Sequence, residues 1–204
     1  MPNLGIMASQ ISGHLIPPYD GPYGAYDALA TVTLSATTSS ITFAGIPSGY
    51  KHLQIRFMAQ SNRGTYAIDD VRMRLNSDTA SNYSAHILAG SGAAASAYAE
   101  SSTTSILTGD RNVVTSVITN TFGVGVIDIS DYGSTTKAKT IRSLSGGDSN
   151  AVGASGYYPS ISLSSGAWYK NSSSVYEAVN TILLYPEYGT LFTQHSSFAL
   201  YGVK

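Results

Sequence analysis

Three groupings of carboxylates are the residues best suited to do chemistry. Asp128 and Asp131 stand close together in VIDISDYGS, Asp69 and Asp70 are adjacent in AIDDVR, and Glu177 lies near Trp168. Two carboxyl groups held about 5 to 10 Å apart can hydrolyse a glycosidic bond, one as acid and the other as base or nucleophile. Asp128, however, closes an alternating run, where capping a turn or bonding across strands suits a carboxylate better than catalysis. Calcium at such an aspartate-rich turn would call for a loop spacing that the sequence does not contain.

The other familiar chemistries fare no better. His14, His52, His86 and His195 are too far apart in sequence to show a ligand spacing, and each is expected to be structural or exposed. Serines are so numerous that a chance Ser and His pair carries no information, and no G-x-S-x-G elbow joins a strand to a helix. TFGVGVID contains a G-x-G, but no helix follows it; glycine in a strand marks a bulge or a close backbone approach. No catalytic, metal-ligating or cofactor-binding residue is assigned, and no cofactor is expected.

Aromatic side chains are the remaining candidates. Trp168 with Tyr157, Tyr158, Tyr169 and Tyr176 could stack on sugar rings, although core packing and contacts between protomers account for such a cluster equally well. Tyr158, Trp168 and Tyr169 are taken as outer or inter-subunit contacts.

The elements that would position these side chains are strands. In ITFAGIPSGYKHLQIRF, two strand patterns flank a Gly-Ile-Pro-Ser-Gly turn, and Leu53, Ile55 and Phe57 then alternate with Gln54, Arg56 and Met58. Further runs are expected at 31–35, 40–44, 52–60, 70–76, 84–89, 113–119, 123–130, 138–145, 158–163, 179–185 and 196–203. Turn-rich gaps separate them at the spacing of sandwiches and barrels. No helix is expected, and no repeat of 20 to 50 residues is visible. The prediction is an all-β antiparallel β-sandwich, jelly-roll-like, spanning 31–204. By alternation its core holds Leu53, Ile55, Phe57, Val71, Met73, Leu75, Val124, Val126, Ile141, Leu144, Ile182, Leu184, Phe198 and Leu200. GSGAAASAYAESSTTS, 90–105, reads as a surface loop or a weak outer strand, and 145–155 as a loop.

Residues 1–30 differ from the rest. Pro17, Pro18 and Pro22 forbid a regular ladder, so this stretch reads as an extended arm. A plain solvated terminus is one reading. The other is a docking peptide, favoured by the apolar Leu4, Ile6, Met7, Ile11 and Leu15.

Composition narrows the function classes. Charged residues make up only 11% of the 204, so solubility must come from hydroxyls and amides. Tyr, Ser, Gly and Asn are the residues adaptable binding surfaces favour. The formal net charge is −1, and Arg56, Arg72, Arg74, Lys137, Lys139 and Arg142 are scattered, which argues against a nucleic-acid partner. With no cysteine there is neither a disulfide framework nor a thiolate metal site. No run reaches the roughly 18 apolar residues of a membrane span. Met1 to Leu15 lacks the charged start and apolar block of a signal peptide.

Four segments, GIPSGYKHLQIRF, VRMRLNSDTASNYSAH, FGVGVIDISDYGSTTKAKTIRSLSG and QHSSFALYGVK, occur in that order. They resemble a family of tailed-bacteriophage virion proteins comprising minor tail, tail-fibre and head-decoration proteins. The opening NLGIMASQISGHL also looks like the short start common in that group, so the resemblance covers most of the chain. It rests on the pattern of segments and not on a catalytic signature. It implies a β-sandwich module, assembly as a homo-oligomer in the form of a trimer, and display on the particle. The expectation is a non-enzymatic protein of the tail tip, fibre or receptor-binding apparatus, docked on other virion proteins through its arm. A capsid decoration protein at symmetry axes and a module binding host surface polysaccharide are the alternatives.

Overall fold

A computed structural model describes residues 24–64, 66–148, 159–172 and 175–204, and no helix occurs among them. The chain runs through β1 (Tyr26–Thr33), β2 (Ile41–Ala44), β3 (His52–Ser61), β4 (Ile68–Asp69), β5 (Val71–Leu75) and β6 (Tyr83–Gly90). It continues with β7 (Ala95–Thr103), β8 (Ile106–Leu107), β9 (Val113–Thr115), β10 (Gly123–Ser130) and β11 (Lys139–Gly146). The last five are β12 (Ile161–Trp168), β13 (Asn171–Ser172), β14 (Val175–Tyr176), β15 (Thr181–Pro186) and β16 (Ser197–Val203).

The larger sheet has the order β1-β16-β3-β10-β11-β12-β6-β7, with every neighbouring pair antiparallel. β9 continues it, parallel to the end of β3 and antiparallel to β4. A smaller sheet, β2-β15-β5-β8, supplies the second layer. The fold is thus all-β and sandwich-like, as expected from the alternation. Leu53, Ile55, Phe57, Ile127, Phe198 and Leu200 of the large sheet share one buried cluster with Ile41, Phe43, Met73, Leu75, Ile182 and Leu184 of the small one. At the turn after β2, Gly45 takes φ +67°, a conformation that L side chains disfavour.

The structure departs from the sequence reading at several points. β1 starts at Tyr26, inside the segment assigned to the arm, because Tyr26 to Thr33 pair with β16 through a bulge at Ala28/Ala30. Of the two readings of 90–105, the outer strand is the one that holds, over 95–103 at the edge of the large sheet. β9 is only three residues long, and β12 runs to Trp168, five residues beyond its expected end at 163.

Val124, Val126 and Leu144 do not belong to the core. Inward positions on β10 are Gly123, Gly125, Ile127 and Ile129, and those on β11 include Ile141, Ser143 and Ser145. Room decides the phase: a Cβ on Gly125 would stand 2.4 Å from the Phe57 ring, and one on Gly123 would stand 2.1 Å from the Asn112 carbonyl oxygen.

Candidate functional site: the outer face of the large sheet

In-register neighbours on the outward face of the large sheet form rows. The first is Met58, Val124, Gly146, Ile161, Gly90 and Ala95, in the strand order β3, β10, β11, β12, β6, β7. The second, two residues along, is Arg56, Val126, Leu144, Leu163, Leu88 and Ala97. Met58, Val124, Ile161, Leu144, Leu163 and Leu88 are between 40% and 66% exposed. Single exposed apolar residues are ordinary on a protein surface, whereas a contiguous block of them marks an interaction site.

On β11 and β12 the inner face carries serines behind the aliphatic outer face. Ser143, Ser145, Ser162 and Ser164 point inward and are buried. A buried hydroxyl costs stability unless it is bonded, and here each finds a partner on one segment. Ser143 Oγ donates to the Thr108 carbonyl at 2.5 Å, Ser164 Oγ to the Leu107 carbonyl at 2.9 Å, and the Asp110 N–H donates to Ser162 Oγ at 2.9 Å. Ser145 Oγ reaches the Thr108 carbonyl at 3.5 Å, and Ser160 just before β12 bonds the Asp110 carbonyl at 2.6 Å. Small hydroxyl side chains therefore let segment 107–110 lie against the sheet, and the aliphatic positions of these strands are left outside.

One end of the apolar face is hollowed into a groove of about 720 Å³, bordered by Arg56, Val124, Val126, Leu144, Asp148 and Ile161. The other border is a polar row, Gln54, Asp128, Arg142, Ser165 and His86. That row is braced: Gln54 Nε2 donates to Asp128 Oδ1 at 2.9 Å, Arg56 Nε donates to Gln54 Oε1 at 2.9 Å, and Arg142 stands 3.5 Å from Asp128 Oδ2. The Arg56 guanidinium also lies 5.1 Å from the centre of the Tyr201 ring and 5.6 Å from that of Tyr26, which holds it over the sheet.

The carboxylates singled out in the sequence serve structure at these positions. Asp131 takes φ +47° at the turn after β10, pairs with Lys137, and donates its backbone N–H to His52 Nδ1 at 3.0 Å. Asp69 is buried and accepts from Ser61 Oγ at 2.6 Å and from the N–H groups of Asp70, Tyr188 and Gly189 at 2.8 to 3.0 Å. Burial, then repulsion from Glu187, pushes the Asp70 carboxyl well above its usual range, opposed by the Arg111 N–H donated at 2.5 Å. Arg72 resists the desolvation of its site because Glu100 and Glu187 hold it charged, donating to each at 2.6 Å. Glu177 pairs with Lys170 at 3.1 Å. Among the described residues no three His, Asp or Glu side chains are grouped so as to hold a metal ion.

Of the aromatic candidates, Trp168 is corrected: it is 1% exposed and cannot make an outer contact. It falls on the inward phase of β12, where its ring stacks on Tyr83 at 6.3 Å and its Nε1 donates to Asp78. Tyr169, the next residue, is exposed. Tyr158, together with Leu4, Ile6, Met7, Ile11 and Leu15 of the arm, lies outside the described residues. The aliphatic rows were missed by sequence reasoning; their signal was glycine or serine alternating with Val, Leu or Ile in GVGV, SLSG and ISLS.

The arrangement can bury apolar surface from a partner and orient it by the braced polar row. No protein-family model matches the chain, and no curated protein matches it.

Proposed function

We propose that this chain is a structural protein of a bacteriophage virion, placed in the tail tip, fibre or receptor-binding apparatus and acting by protein contacts and not by catalysis. The observation that carries the reading is the double row of exposed aliphatic side chains across five strands of the large sheet. A protein working alone in water has reason to keep such a face small; one built into an assembly buries it. The outer edge strand agrees with this, since β7 carries only Glu100 as a charge and is otherwise Ala, Ser, Thr and Tyr. Unpaired edges need charge or cover, and an assembly supplies cover. The resemblance of the four segments to tailed-phage virion proteins gives the class of assembly, with the apolar arm as the docking element and other virion proteins as its partners.

The reading is tested by counting copies on purified particles, by quantitative mass spectrometry with cryo-electron microscopy. A few copies at the tail support it. Hundreds on the capsid lattice would replace it with the decoration-protein reading, and absence from particles would end both.

A further inference from the structure

We infer that two copies of this chain pair face to face through the outer side of the large sheet, about a twofold axis that crosses the strands between the two aliphatic rows. The inference rests on the reading of that face as an interface, whatever particle carries it. An axis lying in the sheet plane and perpendicular to the strands sets each strand antiparallel over its own copy, the aligned mode in which two sheets stack about 10 Å apart.

The residues at this face are complementary under that operation. First-row positions meet second-row positions of the other copy. Leu144 then falls over Gly146 and Leu88 over Gly90, while Val124 meets Val126 and Ile161 meets Leu163. Two leucines thus enter the gaps left by glycines, aliphatic side chains of similar size meet on β10 and β12, and on β3 Met58 meets the stem of Arg56. On β11 the same axis, passing between Leu144 and Gly146, places Arg142 opposite Asp148. Arg142 is 72% exposed, and Asp148 borders the groove two residues beyond the other end of β11. Each copy carries Arg142, 3.5 Å from its own Asp128, on one side of the axis and Asp148 on the other, so two Arg–Asp pairs between copies would close the two ends of the contact.

Area agrees. With strands about 4.8 Å apart and residues about 3.4 Å along, the two rows cover roughly 24 by 14 Å. That is the apolar centre of an interface, and the polar row Gln54, Asp128, Arg142, Ser165 and His86 beside it extends it toward the ~800 Å² per partner of a standard interface.

Light scattering and sedimentation of the full chain at micromolar concentration test the pairing. The expected result is a dimer. L144D and G90L should each give a folded monomer by circular dichroism. A Cβ on Gly90 meets only Ile161 Cγ2, at 3.8 Å, so the second variant fills the gap with little strain within one copy. R142D should raise the dissociation constant at least tenfold, and adding D148R should restore it. A monomer or a trimer of the full chain, a dimer indifferent to L144D and G90L, or no rescue by the double reversal would overturn the inference. Particle composition is read separately, so a failed pairing leaves the virion reading intact, and the reverse.

Discussion

Trp168 Nε1 donates to Asp78 Oδ2 at 2.7 Å, joining the end of β12 to the turn after β5. The same carboxylate accepts from Asn82 Nδ2 at 2.8 Å and from the Ala80 N–H at 3.0 Å. Burial works to raise the Asp78 pKa, but the bonds from Asn82, Trp168 and Ala80 prevail and hold it below the usual carboxylate range. A carboxyl with a lowered folded-state pKa adds stability that is present above its unfolded value and is lost as pH falls through the folded one. D78A should cost about 1 to 3 kcal/mol at pH 7, because it leaves a buried indole N–H without an acceptor. Urea unfolding of D78A and the parent should show that gap narrowing as pH falls below the ordinary carboxylate value; a constant gap would refute the account.

Asp70 gives the opposite sign. Its folded-state pKa is raised, chiefly by burial and then by Glu187, so the folded chain holds this proton more tightly than the unfolded chain does. Stability is therefore lost as pH rises from the ordinary carboxylate range through the raised value. D70N keeps an oxygen for the Arg111 N–H and removes the charge. It should melt higher than the parent at pH 7.5 and equally near pH 3.5, as scanning calorimetry would show.

The serine ladder makes a sharper claim than general packing. Ser164 Oγ satisfies the buried Leu107 carbonyl, so S164V fills the volume but orphans an acceptor. The expected loss is about 1 to 3 kcal/mol by chemical denaturation. S165V, on the outer face one residue away, should change stability by less than about 0.5 kcal/mol. Equal effects at 164 and 165 would show that the inward phase of β12 is wrong.

How far the sequence was legible follows from these same residues. Alternation locates strands, and β10 begins and ends where the pattern of 123–130 says it does. Alternation also divides a strand into two faces without saying which is inward, and hydropathy then favours Val124, Val126 and Leu144 over glycine and serine. The phase is set by partners remote in sequence: the Phe57 ring over Gly125 and the carbonyls of 107–110 over the serines. For Trp168 the sequence left core packing and an outer contact both open and favoured the outer one, since the acceptor that holds it inside, Asp78, lies 90 positions away. The aliphatic rows are an arrangement across five strands, visible only once register is known.

Gly125 is where phase, packing and the outer face meet. A methyl group there would stand 2.4 Å from Cε1 and Cζ of Phe57 and 3.0 Å from the Ser145 Cβ. Phe57 is buried between Phe198, stacked at 6.2 Å, and the core, so its ring has little room to retreat. G125A should therefore destabilise the chain by about 1 to 3 kcal/mol, the usual cost of overpacking. F57L in the same chain removes the clash and should recover part of that loss, so the double variant should be more stable than the two single effects added together. A double-mutant cycle in urea measures the coupling. Additive effects would mean that Phe57 does not set the phase of β10, and the outward placement of Val124 and Val126 would need another cause.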